Sequence, residues 1–560
     1  MRMKLATSCS LHARRPATRL HSGAATPRQQ QQQAAEQTLR PHVLATAPKV
    51  EAPASASAQI SNDESAKRPR GLLTRDFIAK SLYNQENGYF STKDVINDLP
   101  GPLEFGSMMG ELHYRLDVKK AYESKLSAWM TPVETFSPHF SNALAKFIAR
   151  EAKKAESAPS ARARGNPGRH PPHGRSPGVT GRGGGERSSD AGGEGLVLYE
   201  AGGGTGTNAL NVLDWLRREE PKLYERTEYT IVEISPRLAE LQAERVCKVH
   251  ENCRVVNANV LEWGMSGEVD TRPCFFLGME LLDNLPHDKI AWVAPSLQDG
   301  GGDGKEQLCE AVVVDTPDGG FREAFRPLRD PVIRELLTIC PELAAMVRNR
   351  KESDTSGGAP ASDFREAFAR FFGSGGGGLR PEHCAAFVPT GSLRLVQALM
   401  ERLPRHRAIL ADFDSFDGSM GTPGAGTAGA GGPAGGPAGG PAAKNDESLT
   451  AFQAPIVSSR EAATGNVTDH ATYMVPLGSA DIFFPTCFKR LARLHSAVCS
   501  SGGGGGGGVI RRGRGAVVKQ GEFLREFADL HATRTFSGFN PLVDDFRNSS
   551  VFVSGAVISR

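Results

Sequence analysis

Gly195-Leu196-Val197-Leu198-Tyr199-Glu200-Ala201-Gly202-Gly203-Gly204-Thr205-Gly206 reads as an apolar strand running straight into a glycine loop. The apolar periodicity then changes, and Thr207 to Arg218 reads as a helix. Downstream the alternation continues. Tyr229–Glu233 is a strand, Pro236–Val246 a helix and Arg254–Val256 a short strand. Cys274–Met279 and Ala311–Val314 are apolar strands, Leu393–Leu403 is a helix and Ala408–Phe413 a strand. This β-α-β-α-β order predicts an α/β fold with a mostly parallel, doubly wound sheet. Such sheets bind ligands at the carboxyl ends of their strands.

The loop therefore sits where a ligand is expected. Glycines there let the backbone turn tightly and approach a ligand closely. Two cofactors compete for it. A dinucleotide loop asks for G-x-G-x-x-G/A, which Gly204, Gly206 and Ala209 satisfy only when forced. An S-adenosylmethionine loop asks for an acid and then G-x-G-x-G. Glu200 with Gly202, Gly204 and Gly206 meets that pattern with nothing left over. Glu233, at the end of the next strand, can accept both hydroxyls of an adenosyl ribose. Asn259, in Asn257-Ala258-Asn259-Val260 after the third strand, is a candidate for the adenine edge or for a turn.

Gly278-Met279-Glu280-Leu281-Leu282-Asp283-Asn284-Leu285-Pro286-His287-Asp288 follows the strand Cys274–Met279. Glu280 and Asp283, three residues apart, are expected to share one face of a helical turn over the ligand crevice. Paired carboxylates suit a guanidinium, which needs bidentate partners to orient one nitrogen. Cys247, His250 and Cys253 match no common zinc spacing, and no metal site is expected.

Composition bounds the rest. The chain has 560 residues, with 63 glycines and 36 prolines in lumps. Both exceed average usage of about 7% and about 5%. The net charge is +3, too small an excess for a nucleic-acid binder. No apolar run is long enough for a membrane span. Nine cysteines without a CxxC fit a reducing compartment. Residues 1–35 carry six Arg or Lys and no acid before Glu36, as an import leader for the mitochondrial matrix or, second, the chloroplast requires.

The expected organisation follows. Residues 1–70 are transit peptide and linker, 71–154 an N-terminal helical substrate or lid part, and 155–195 an Arg/Gly/Pro-rich insertion. Residues 196–416 form the cofactor-binding core, 417–447 a Gly/Pro-rich insertion and 448–560 the C-terminal part of the same domain. In 71–154, Leu72, Leu73, Phe77, Ile78 and Leu82 are spaced as a helix, and another starts after Pro138.

With these pieces in order, the sequence resembles the MidA-type methyltransferases. Asn87-Gly88-Tyr89-Phe90 resembles that family's early "GYY" element. Thr131-Pro132-Val133-Glu134 with the following helix is similar to its "T-S-P-E" element, though Val stands in another register. The glycine loop, Val232-Glu233-Ile234-Ser235-Pro236 and Glu280–His287 resemble its cofactor loop, second strand and "N-E-x-x-D-x-L-P" site. Asp412-Phe413-Asp414 stands where the family has "D-Y-G". Asp481–Pro485 and Phe539–Leu542 extend the resemblance. The departures point to a divergent, fungal-like branch.

The resemblance implies a Rossmann-like class I sheet, S-adenosyl-L-methionine as cofactor and a protein arginine as acceptor. The acceptor would be a respiratory complex I subunit, and the role complex I assembly. Glu134 and Tyr89 are then expected at the lid or substrate wall. Glu134 joins Glu280 and Asp283 as a catalytic candidate. The alternatives are a methyltransferase acting on another protein or a small molecule, and a non-catalytic assembly factor on the same fold.

Overall fold

The computed structural model describes residues 71–555 apart from 94, 97, 98, 100, 125–128, 158–194, 264–267, 294–306, 356–384, 416–453, 462 and 502–514. The leader and linker expected over 1–70 lie outside the described residues. So do the insertion at 417–447 and nearly all of the one at 155–195, of which the helix His139–Ser157 enters only the first residues.

Seven strands make the main sheet. They are β1 (Leu196–Ala201), β2 (Thr227–Glu233), β3 (Cys253–Asn257), β4 (Cys274–Met279), β5 (His406–Phe413), β6 (Ala516–Lys519) and β7 (Ser549–Val553). Their order is β6-β7-β5-β4-β1-β2-β3. Strands β1 to β5 pair in parallel. Strand β7 runs antiparallel between β5 and β6. The chain winds one way from β1 through β3 and the other way from β4 through β5, so the switch point lies between β1 and β4.

Both faces are covered, and the strand period of two says how. Leu196 and Leu198 of β1 pack with Leu144 and Phe147 of the helix His139–Ser157 and with Leu213 of Thr207–Glu219. Val197, Tyr199 and Ala201 face the other way, toward Leu395 and Leu399 of Thr390–Arg402 and Leu491 of Phe488–Ser501.

Two sequence expectations change. Ala311–Val314 does not join the parallel sheet. It lies in Gln307–Asp315, the centre of a second, antiparallel sheet that enters the chain between β4 and β5. An apolar β-branched run looks the same in either setting. The distinguishing signal is the turn Thr316-Pro317-Asp318-Gly319-Gly320, which folds the chain directly into the partner strand Phe321–Pro327. Leu72–Leu73, read as helix, instead pairs with Val312–Val313 of that sheet, and the helix starts at Thr74.

Buried charge fixes that N-terminal helix. Arg75 sends Nη1 to Asp288 Oδ2 at 2.7 Å and to Asp330 Oδ1 at 2.8 Å. Asp288 opens a strand of the second sheet, and Asp330 caps the helix Pro331–Ile339. Thr390 Oγ1 also donates to Asp288, at 2.7 Å. Removing the guanidinium would leave two buried carboxylates facing one another. Arg75→Ala is expected to cost roughly 3–5 kcal/mol in chemical denaturation. A loss under about 1 kcal/mol would mean that the cluster behaves as a surface pair.

A third buried carboxylate ties β1 to its neighbours. Glu200 Oε1 accepts from Asn208 Nδ2 and Oε2 from the Tyr229 hydroxyl, both at 2.8 Å. Burial pushes the Glu200 carboxyl up to about 7, against the opposing pull of those two hydrogen bonds. The unfolded value is about 4.3. Between these values the folded state holds the proton and the unfolded state does not. Glu200 therefore makes stability fall as pH rises from about 4.3 to 7. Glu200→Gln should abolish that part of the slope and raise stability at pH 8 by at most about 4 kcal/mol. Parallel stability–pH curves for the two proteins would refute this.

Candidate active site

A crevice of about 460 Å³ opens at the carboxyl ends of β1 to β4. Its size suits a small-molecule cofactor. Gly202–Gly204 follow β1, Glu233 ends β2, Asn259 follows β3 and Glu280 follows β4, and all border the cavity. Phe90, Ile96 and Trp129 of the N-terminal part form the facing wall.

The loop needs its glycines at specific places. Gly204 (φ 57°) and Gly206 (φ 87°) are left-handed. A Cβ on Gly206 would lie 2.8 Å from Val246 Cγ2, and one on Gly204 3.2 Å from Ile96 Cδ1. Gly206 is the N-cap of Thr207–Glu219, so the loop delivers the chain into that helix.

Glu233 is buried, and burial raises its pKa despite the hydrogen bonds it accepts. The backbone N–H of Ser235 donates to Oε1, and Gln242 Nε2 donates to Oε2, each at 2.9 Å. The Ile234 backbone also contributes a hydrogen bond, so one acceptor site remains for a hydroxyl. Gln242 Nε2 also donates to the Gly204 carbonyl at 2.8 Å, so one amide joins the acid to the loop. Nothing in the sequence singles out Gln242. It is buried where Pro236–Gln242 passes into a π-turn, Ala243–Cys247. Asn259 accepts from the Leu261 N–H at 3.0 Å, which is a turn role, and it also borders the crevice.

Glu134 has a more central place than a substrate wall. Its Oε1 accepts from Thr205 Oγ1 at 2.6 Å and its Oε2 from Thr207 Oγ1 at 2.9 Å. Arg245 Nη1 donates to Thr205 Oγ1 at 2.8 Å. Glu134 is set by the short helix Pro132–Thr135, whose N-cap Thr131 accepts from the Glu134 N–H. Tyr89, by contrast, lies behind the wall. Its hydroxyl accepts from Trp129 Nε1 at 3.0 Å, and it is Trp129 and Phe90 that border the crevice.

Glu280 and Asp283 do not share a helical face. Residues 280–287 form an irregular turn, and only Glu280 of the two borders the crevice. Asp283 is buried beside Asp412 at the end of β5. The reason is a strong local constraint. Asp412 Oδ2 accepts the N–H groups of Leu282 and Asp283 at 2.7 and 3.0 Å, fixing the turn from below. Burial, then the charges of Asp283 and Glu280, push Asp412 well above the usual carboxylate range. Glu280 is the one non-glycine residue with positive φ among the described residues, at 50°. A left-handed glutamate costs about 1–3 kcal/mol, and such strain gathers at functional sites.

Of the residues singled out in the sequence, Glu134, Glu200, Gly202, Gly204, Glu233, Asn259 and Glu280 meet around one crevice. Gly206 and Asp283 stand just behind it, as cap and support. Cys247 lies in the π-turn and Cys253 opens β3, while His250 Nδ1 faces the Tyr224 hydroxyl at 2.8 Å.

These residues fit an adenosyl cofactor. The left-handed loop leaves backbone open to the cavity, and Glu233 carries a spare acceptor site at the end of β2.

Residues 186–429 match the family model described as "Putative S-adenosyl-L-methionine-dependent methyltransferase". The chain is 23% identical over 235 residues to the "Protein arginine methyltransferase NDUFAF7 homolog, mitochondrial" of Schizosaccharomyces pombe. That match covers 40% of this chain and 45% of the yeast protein, so the chain spans under half of the relative's length. Among solved structures, one of a Burkholderia thailandensis protein bound to S-adenosyl-homocysteine shares 15% identity. It covers 88% of this chain and 89% of that one, at a TM-score of 0.44. A native structure of an uncharacterized protein from the same organism gives 16% identity, 88% of each chain and 0.42. Over residues 186–429 the chain thus matches S-adenosyl-L-methionine-dependent methyltransferases, and its motifs resemble the MidA-type family.

Proposed function

We propose that this protein methylates a protein substrate with S-adenosyl-L-methionine, and that the acceptor is an arginine of a respiratory complex I subunit during complex I assembly in the mitochondrial matrix. One observation carries the reading. A strained glutamate, Glu280, borders the same crevice as the glycine loop and Glu233. The name of the yeast relative supports arginine and mitochondria. The basic, acid-free segment 1–35 supports import.

When bound, the cofactor supplies an electrophilic methyl group. This chain's part is to hold and orient. Gly202–Gly204 give the backbone cradle, and Glu233 accepts a ribose hydroxyl. Glu280 pairs with the guanidinium, sets one nitrogen toward the crevice and takes up its proton. The wall of Phe90, Ile96 and Trp129 keeps water out. Positioning supplies most of the rate in such a displacement, with the reacting atoms held near 3–3.5 Å.

One feature favours a different acceptor. Arg394 borders the crevice, and its cation would repel a guanidinium placed beside it. An uncharged amine or an acidic substrate would suit that end.

Calorimetric titration of the full chain is expected to show S-adenosylmethionine binding and no NADH binding. Glu233→Ala should weaken the former at least tenfold, the loss of a hydrogen bond to a charged acceptor. Absence of binding would remove the enzyme reading and leave the non-catalytic assembly factor. Glu280→Gln keeps shape and loses the charge. It should leave cofactor affinity unchanged and lower methyl transfer to complex I subunits about 100-fold. Methyl groups mapped by mass spectrometry to residues other than arginine would overturn the guanidinium assignment.

A further inference from the structure

The helix Phe488–Ser501 carries His495 and Cys499 one turn apart, facing the start of β5. His406 is the first residue of β5, and it is buried with His495. Their Nε2 atoms lie 3.1 Å apart, with the rings edge to face. Cys499 Sγ is 3.7 Å from both ring nitrogens of His495 and 3.3 Å from Met400 Sδ on the helix Thr390–Arg402. One ligand atom each from His406, His495 and Cys499 falls within 4.8 Å of the other two. From this geometry we infer a thiophilic metal site, formed by His406, His495 and Cys499 with Met400 as a fourth donor, that takes copper(I).

Three physical points support it. A tetrahedral metal with bonds of about 2.0–2.1 Å to nitrogen and about 2.3 Å to sulfur separates its donors by roughly 3.3 Å (N to N) and roughly 3.6 Å (N to S). The observed 3.1 and 3.7 Å lie close to those spacings. Second, the His406 Nδ1 sits 2.8 Å from the Leu403 carbonyl. That contact keeps the proton on Nδ1 and leaves the Nε2 lone pair facing His495. A ligating histidine is ordinarily held this way through its other nitrogen. Third, thiolate and thioether donors beside two imidazoles select copper, since a thioether is a poor partner for zinc.

Proton balance is simple. Without metal, Cys499 S–H, His495 and His406 form a chain of neutral hydrogen bonds ending on the Leu403 carbonyl. On binding, the thiol gives its proton to solvent and becomes the thiolate ligand. His495 keeps one ring proton and presents the other nitrogen, so one proton leaves per ion bound. Cys499 and Met400 are half-buried, which gives the ion a way in.

The site is separate from the crevice. His406 pairs with Cys274 at the amino ends of β5 and β4, and the crevice lies at their carboxyl ends. Metal occupancy should therefore leave cofactor binding unchanged, and the inference does not rest on the proposed reaction.

The test is a competition titration of the full, reduced chain with copper(I) against a chromogenic copper(I) chelator, and with zinc(II) against a zinc indicator. One equivalent of copper(I) is expected to be withheld by the protein and by a Cys247→Ser control. Cys499→Ser should weaken it about 100-fold. Met400→Leu should weaken copper about tenfold and leave zinc unaffected. Cobalt(II) loading should give a thiolate-to-metal absorption band that Cys499→Ser lacks. No copper retention by the wild-type chain, or retention equal in Cys499→Ser, would leave only a hydrogen-bonded cluster and overturn the site. Tighter binding of zinc than of copper would overturn the choice of metal. Should Cys499→Ser fold poorly, the Met400→Leu comparison and the cobalt band decide.

Discussion

The carboxylate of Glu134 holds the cofactor loop to the rest of the protein. The loop has three glycines at positive φ, a shape the chain adopts at an entropic cost and does not hold by itself. Glu134 accepts both Thr205 and Thr207, and Thr207 opens the helix that follows. An anion there is favoured by the helix dipole as well as by the two hydroxyls. Arg245 grips Thr205 from the π-turn, and Gln242 grips the Gly204 carbonyl. The loop is thus shaped by groups from two segments outside it. One of them, Pro132–Thr135, belongs to the same N-terminal part that supplies the aromatic wall. The cradle and the wall thus depend on the same N-terminal part.

The parts of this arrangement that the sequence discloses are those with a local period. The strand Leu196–Ala201, the loop and the acid at Glu233 follow from alternation, glycine spacing and a strand end. The parallel order follows from helices between strands. Contacts across long sequence separations leave no such trace. Glu134 reads as a wall residue because its partners are 71 and 73 positions away. Gln242 reads as an ordinary helical residue. The second sheet is hidden because Ala311–Val314 is apolar and β-branched, which suits either pairing, and only the Pro-Asp-Gly turn after it marks a hairpin. The pair Glu280 and Asp283 is recognisable as chemistry. Its helical spacing is not realised, because Asp412 claims the two N–H groups a helix start would have used.

Asp412 also explains how Glu280 can be held in a left-handed conformation. The Glu280 N–H donates to the Ala411 carbonyl at 2.9 Å, which continues the β4–β5 ladder by one rung. The N–H groups of Leu282 and Asp283 reach the Asp412 carboxylate. Three anchors, at 280, 282 and 283, restrain the backbone at Glu280, and their combined strength is of the same order as the ~1–3 kcal/mol of strain. Every anchor comes from β5. Asp412 itself is buried among acids, so its proton is retained well above the ordinary range, and the cluster beneath Glu280 carries less charge than three ionised carboxylates would. Glu280 is then the member of the cluster with access to the crevice.

The strand β5 is held in turn by the far end of the chain. Its last residues pair antiparallel with β7, Asp412 opposite Ser550 and Phe413 opposite Ser549. A one-residue slip of β7 there would turn Ser550 and Phe552 to the opposite face, since side chains alternate along a strand. Phe552, inside β7, packs into the core on the side that faces Thr390–Arg402, and its ring also touches His495. The register of residues 549–553 is therefore felt at both ends of β5: at Asp412 under the crevice and at His406 beside the sulfur cluster. A polar residue in place of Phe552 would loosen both sites at once, although neither lies within its own segment of sequence.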